Sequence, residues 1–420
     1  MGGSLSQRRK AVIVGGSVAG LFLGNMLHRR GWDVGIYERV PDDLASRGAG
    51  IARHVEMVPI MAAAGVAETG PLGIEVEGRV AVDRHGQELG RFRFAQHLTS
   101  WSYVYNPLKA AFPAERYHGG RELVAIERSG RRPLARFADG GTVEADLVVG
   151  ADGFRSRVRG LLAPAVVPRY AGYVAWRGLV AETALPAAFR AGGFGQYCFC
   201  FPPGGQFIGY PVAGTDDSVA PGRRRYNFLW YRHVADGAPL ADLLTDEAGH
   251  THDYSIPPPL IRADLVQRLH RDAAADLPRP LAEAVALADH PMLQPIYDVD
   301  SDRIAFDGVA LIGDAAFVAR PHAGIGVLKA GEDALALATA LAEAADVPGA
   351  LDRFAAERLP AGKQAVALGR RLGAFIERGH DSPQTDPALG LTTEFILRVS
   401  ARPPSHSPDL AMPVAVGVSA

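Results

Sequence analysis

Between Ala11 and Arg39 the chain reads AVIVGGSVAGLFLGNMLHRRGWDVGIYER, an order of residues that few folds accept. Ala11–Val14 is a short apolar run, as a parallel strand buried on both faces requires. Gly15, Gly16 and Gly20 follow at once, where the backbone turns tightly and comes close to something. Ser17, Val18 and Ala19 fill that turn, and Leu21 to Arg30 has helical residue types that Gly31 ends. Asp33–Tyr37 reads as a second strand, closed by Glu38 and Arg39. Strand, glycine turn, helix, strand and acidic residue form the βαβ pattern of dinucleotide binding. Backbone N–H groups at the helix start would hold a pyrophosphate, and Glu38 would accept hydrogen bonds from a ribose. Ser17 stands where G-x-G-x-x-G has its second glycine, and its hydroxyl can donate to phosphate. The bland alternative for this stretch alone is a β-α unit that binds nothing.

A chain of 420 residues buries a large core and is expected to form more than one domain. Lys and Arg number 44 against 46 Asp and Glu, which argues against a nucleic-acid surface. The two cysteines, Cys198 and Cys200, are two apart in an expected strand and share one face; they read as packing, and no metal site is expected. There is no run of 18 apolar residues and no secretory pattern, so the expectation is a cytoplasmic protein that does not enter a membrane.

The expected fold class is α/β. A Rossmann-like nucleotide domain occupies residues 11–75, 106–168 and 299–345, after a disordered tail at 1–10. A discontinuous, mostly antiparallel β-sheet substrate domain occupies a hairpin at 76–105 and residues 169–298. C-terminal helices at 346–380, split at Pro360, precede an irregular tail at 381–420. From Tyr170 to His233 aromatic residues alternate: Tyr197, Phe199 and Phe201 on one face, Tyr226, Phe228 and Trp230 on another. Such a sheet makes one wall of a pocket, and a plain sandwich core would look similar. Gly48-Ala49-Gly50 reads either as backbone approaching a flat ligand or as an ordinary turn.

Three apolar strands end in glycine and a polar residue or more glycine: VIVGG, LVVGADG and ALIGDAA. Ligands of a doubly wound sheet lie off the carboxyl ends of its strands, so Gly15–Gly20, Asp152 and Asp314 can meet one ligand. Only a long ligand reaches all three, and FAD is long enough. Gly324 and Gly326 place bare N–H groups at the start of a long helix, where the dipole is positive and would stabilise an anionic reduced flavin.

The glycine turn with Glu38, GADGFRSRVR at 150–159 and GDAAFVARPHAGIG at 313–326 stand in the order that single-component flavin aromatic hydroxylases, the para-hydroxybenzoate hydroxylase-like monooxygenases, show. The chain resembles that family over most of 11–345. PAERYHGG (113–120), YAGYVAWRGLV (170–180), YNFLWY (226–231) and ARPHAGIGVLKA (319–330) make it most similar to the dihydroxypyridine hydroxylase branch. The resemblance implies FAD reduced by NADH or NADPH as a transient co-substrate. It implies uptake of O2 to a flavin C4a-hydroperoxide and transfer of OH to a small electron-rich aromatic ring. It also implies a homodimer. By the same resemblance, Arg47, Gly50 and Ile51 lie along FAD. Asp152 lies near its phosphates and the nicotinamide path, and Asp314, Pro321, Gly324, Gly326 and Val327 against ribitol and flavin. Phe317 and Leu328 depart from the His and Asn that relatives often carry.

His322, at the expected flavin edge, is the candidate to take or relay a substrate proton, or else it only hydrogen-bonds its loop. Tyr210 is a candidate donor to substrate, or a core tyrosine. Arg177 is read as structural, and His54, His97 and His118 as surface or loop residues. Rival functions are a flavin epoxidase, halogenase or dehydrogenase on the same scaffold, or a non-catalytic FAD-binding redox sensor; the W-x-W-x-I-P stretch of halogenases is absent.

Overall fold

The computed structural model describes residues 8–44, 50–67, 70–130 and 132–403. Six strands form one sheet, in the order Ala305–Phe306, Val309–Leu311, Leu147–Gly150, Lys10–Val14, Asp33–Tyr37 and Tyr117–His118. All neighbours run parallel except the first pair. The register sets Val14 beside Gly150, and Gly150 beside Leu311. The three strands therefore end level, and the chain that follows each emerges on one edge. This sheet is covered on both faces, which is why its central strands are apolar throughout: Ala11, Val12, Ile13, Leu147, Val148, Val149, Ala310 and Leu311 have no exposed surface.

A second sheet has nine strands, in the order Phe317–Val318, Met292–Asp300, Arg169–Ala181, Arg225–His233, Gly205–Val212, Tyr197–Cys200, Ile74–Val82, Glu88–Ser100 and Gly50–Arg53. Only the pairing of Tyr197–Cys200 with Ile74–Val82 is parallel. Period-2 alternation divides its side chains. Tyr173, Tyr197, Phe199, Ile208, Tyr210, Leu229 and Tyr231 join the core on one face. Val174, Trp176, Cys198, Cys200, Tyr226, Phe228 and Trp230 join the core on the other, with Leu265, Leu269 and Val285 of the helices Ala263–Asp276 and Arg279–Ala286. Both cysteines are buried free thiols there, pushed well up by burial, Cys198 to about 12.

Three expectations change. Val347–Glu377 is one helix of 31 residues that runs through Pro360. Buried Phe354, Val366 and Leu372 anchor it on both sides of the proline, so packing outweighs the lost N–H. The stretch after residue 380 is not irregular throughout. Thr392 caps a helix, Thr393–Val399, whose Ile396, Leu397 and Val399 are buried in the tyrosine-bearing core. Gly50–Arg53 belongs to the nine-stranded sheet, paired with Glu88–Ser100, and not to the nucleotide-binding sheet. Among the described residues no helix is long and apolar enough to cross a membrane, and no cluster of His, Cys, Asp and Glu could hold a metal ion.

Candidate active site

One cavity of about 700 Å³ lies where the two sheets meet. Its walls include Gly15, Ser17, Val18, Ala19, Glu38 and Arg39 at one end, Asp152 and Asp314 midway, and Pro321, Gly324, Gly326 and Val327 beyond them. Gly15 carries φ +108°, and a Cβ on it would run into the carbonyl of Ala151, so a side chain here would force the strand ends apart. Gly16 and Gly20 do not line the cavity. The Gly16 N–H donates to Glu38 Oε2 at 2.8 Å, and Gly20 packs on the carbonyl of Gly15. Sequence reasoning assigned both to the ligand; they serve the turn that meets it. Glu38 is buried and also accepts from the Val40 N–H at 3.0 Å, which fixes its carboxylate with lone pairs remaining for a ribose. Arg39 is exposed at the rim. Arg47 lies outside the described residues.

Ser17 is the N-cap of the helix Val18–Arg29 but makes no capping hydrogen bond. Its hydroxyl and the first N–H groups of that helix are open toward the cavity. Asp152 does not point freely. Ser156 Oγ donates to it at 2.6 Å, as do the N–H groups of Arg157 at 2.6 Å and Val158 at 3.2 Å. Burial raises its carboxyl while those donors pull it down. Half of the Asp314 side chain is exposed, but to the confined cavity, and its carboxyl is accordingly raised, with Lys329 opposing the shift. Behind it the buried Lys329 ammonium stands 3.9 Å from Asp314 and 3.7 Å from Asp333, within no hydrogen bond.

The helix Gly326–Glu343 begins at the cavity wall. Its first N–H groups, before Lys329 N–H reaches Ile325 O at 2.8 Å, have no carbonyl within the helix. The loop before it is held by His54, expected as a surface or loop residue and found in a loop but buried. Its Nε2 is 2.9 Å from Gly324 O. A carbonyl only accepts, so Nε2 carries the hydrogen, and burial holds the imidazole neutral. On its other side Gly324, at φ +63°, abuts Ala401, which also lines the cavity.

Beyond that loop the nine-stranded sheet supplies Arg177, Tyr197, Ile208, Tyr210, Leu229, Tyr231 and Gln294. The Tyr210 ring faces the cavity, but its hydroxyl donates to Gly50 O at 3.0 Å, so the expected donor to substrate is already engaged. His322 corrects a second expectation. It is buried beneath the loop, outside the cavity, with Nε2 2.9 Å from the Tyr173 hydroxyl and its ring 4.1 Å from that of Tyr231. Burial, then the neighbouring Arg320 charge, push its pKa down to about 3. An imidazole so placed lies off the cavity wall, and its lowered pKa argues against proton uptake near neutral pH. Arg177, read as structural, lines the cavity instead. Its parity with Tyr173 along one strand was the available signal, but the face of that strand could not be assigned without the pairing of Arg177 with Leu229.

These residues fit FAD. The cavity is elongated past all three strand ends, and open N–H groups or hydroxyls stand where a pyrophosphate and an anionic ring edge would lie. Residues 170–298 match the family described as FAD binding domain-like. The chain is 31% identical to 2,6-dihydroxypyridine 3-monooxygenase of Paenarthrobacter nicotinovorans, over 90% of this chain and 94% of that one. The solved 2,6-dihydroxypyridine-3-hydroxylase from Arthrobacter nicotinovorans superposes with a TM-score of 0.83 at 30% identity, covering 91% of this chain and 96% of that one. Klebsiella pneumoniae HpxO, solved with FAD and uric acid, shares the fold: TM-score 0.70, 23% identity, 93% and 92% covered. With the fold, the three strand ends and these relatives in agreement, the chain belongs to the FAD-dependent aromatic-ring monooxygenases.

Proposed function

We propose that this monooxygenase hydroxylates a small hydroxylated ring, a hydroxypyridine before a phenol, with NADH or NADPH as transient reductant. The balance is ring C–H, O2, NAD(P)H and a proton going to ring C–OH, water and NAD(P)+. The observation that carries the reading is the continuity of one cavity from Glu38 to the tyrosine-bearing sheet. The name of the relative at 31% identity supports the hydroxypyridine.

Bound FAD would supply the oxygen-activating chemistry, and the chain would position and shield it. Glu38 would accept from the adenosine ribose. Ser17 and the amides of Val18 and Ala19 would receive the pyrophosphate, with Asp152 bordering it. Asp314 would accept from ribitol hydroxyls, and the open amides of Gly326 and Val327 would favour an electron-rich ring edge beside them. Arg39, Arg155 and Arg157, exposed on the rim, offer a docking charge to the phosphates of the reductant. His322 has no proton to move in this scheme; with Tyr173 it supports the Pro321–Gly324 loop.

The test is a panel of hydroxypyridines and phenols added to the purified flavoprotein, followed by NAD(P)H consumption and product mass. The expected result is faster consumption with one oxygen atom gained by a hydroxypyridine. Consumption without an oxygenated product from any ring sinks the proposal.

A further inference from the structure

Of the side chains that the nine-stranded sheet presents to the cavity, Arg177 alone is charged. Its strand neighbours are Leu229 on one side and Met292 on the other. Arg177 Nη1 donates to Gln294 Oε1 at 2.8 Å, while Nε is buried and has no acceptor. Among the described residues no carboxylate pairs with it.

Two buried arginines of this chain carry carboxylate partners: Arg320 meets Asp298 at 3.0 Å and Glu377 at 2.7 Å, and Arg358 meets Asp333 at 2.8 Å. The buried Arg79 lies off the cavity and spends its donors on the carbonyls of Leu397 and Ala401 and on Gln96. A guanidinium keeps its charge at any ordinary pH, and a charge in a half-buried site without a partner is costly. The neutral amide of Gln294 orients Arg177 but brings no counter-charge. The rings of Tyr197, Tyr210 and Tyr231 stand around it in the same wall.

We propose that Arg177 is the anion-binding residue of this pocket, holding an oxyanion or a carboxylate carried by the planar ring substrate. The inference rests on the reading above that the ring occupies this end of the cavity. It also supplies what His322 does not. A ring hydroxyl bound against a guanidinium is favoured as its oxyanion by charge, with its proton released to water, and an oxyanion enriches the ring toward an electrophilic oxygen donor. Gln294 and the neutral tyrosines then set the orientation of the ring.

The experiment is direct binding to the FAD-loaded protein, read from the flavin spectrum, with three probes: 2,6-dihydroxypyridine, its O-methylated ether and benzoate. The expected wild-type result is binding of at least one anionic probe with the ether about ten- to a hundredfold weaker, the ratio for losing one charge-assisted contact. Hydroxypyridine over benzoate identifies an oxyanion as the ligand group; the reverse identifies a carboxylate. Arg177→Gln should erase the preference for the anion while FAD content is unchanged, and Arg177→Lys should restore part of it. Equal binding of anion and ether by the wild type, no binding of either anion, or an unchanged preference in Arg177→Gln overturns the proposal. Arg177-dependent binding without any oxygenated product leaves this proposal standing and removes only the hydroxylation reading.

Discussion

Tyr210 donates its phenol hydrogen to Gly50 O across 3.0 Å, while the Gly50 N–H donates to Asn227 Oδ1 at 3.2 Å. The two bonds pin the backbone of Gly50 to the tyrosine-bearing wall from both sides. Tyr210→Phe should therefore lower stability by about 1 kcal/mol, one ordinary buried hydrogen bond, and leave kcat/KM within about threefold. Thermal melting and steady-state turnover check this. A loss of about a hundredfold in kcat/KM with FAD retained would instead place the hydroxyl on the substrate.

Two buried neutral histidines give the fold an acid limit. The pKa of His54 lies below its ordinary 6.5, and that of His322 is pushed down to about 3. The unfolded chain takes up these protons first, so the stability tied to each site is complete above about pH 6.5 and is lost as the pH falls below it. For His322 the loss continues toward pH 3 at about 1.4 kcal/mol per pH unit. Chemical denaturation of wild type and His322→Gln between pH 7.5 and 5 measures it. The variant should show the shallower slope, and parallel slopes would refute the assignment.

Ser17 caps its helix by position only, since its hydroxyl makes no capping bond. Ser17→Ala should leave the melting temperature of the apoprotein almost unchanged, where removal of a working cap costs about 1 kcal/mol. FAD affinity should fall about fivefold, the loss of one hydrogen bond to phosphate. Reconstitution of apoprotein followed by flavin fluorescence reads it. A destabilised apoprotein with unaltered FAD affinity contradicts the role.

Lys329 stands between Asp314 and Asp333 with its ammonium buried. Lys329→Met keeps the volume and removes the charge that opposes the rise in the Asp314 pKa. The expected cost is about 1–2 kcal/mol at pH 7.5, because the half-exposed Asp314 loses a nearby cation while Asp333 keeps Arg358 at 2.8 Å, and it should shrink as the pH is lowered. Denaturation at pH 7.5 and 5.5 tests both halves of the statement.

The nucleotide end of the site is legible in the sequence because it is local. Strand, turn and helix start within a dozen residues and Glu38 closes the very next strand, so Gly15, Ser17 and Glu38 line one cavity as neighbours of a single local unit. Even there, only the fold separates Gly15, which faces the cavity, from Gly16 and Gly20, which build the turn. The ring end depends on sheet register. Arg177 gains its meaning from Leu229 and Gln294, more than fifty and a hundred positions further on, and a one-residue slip would turn it to the other face. His322 misleads for a related reason: its neighbours Pro321 and Ala323 line the cavity while its own side chain turns away into a tyrosine-lined core. Ala401 was hidden among prolines and serines, where the buried apolar positions of one short helix carry little periodic signal.

Gly15 and Ala401 wall the same cavity. A cofactor bound there is a molecular latch between the earliest and the latest parts of the described chain. The complete cradle exists only when strands and helices from both ends have assembled, so FAD finds its full set of contacts only in the finished fold. Once loaded, it stabilises the whole assembly in proportion to its own affinity. Flavin content thus reports on the integrity of the entire fold, and damage as far away as the helix Thr393–Val399 should first be seen as a loss of colour.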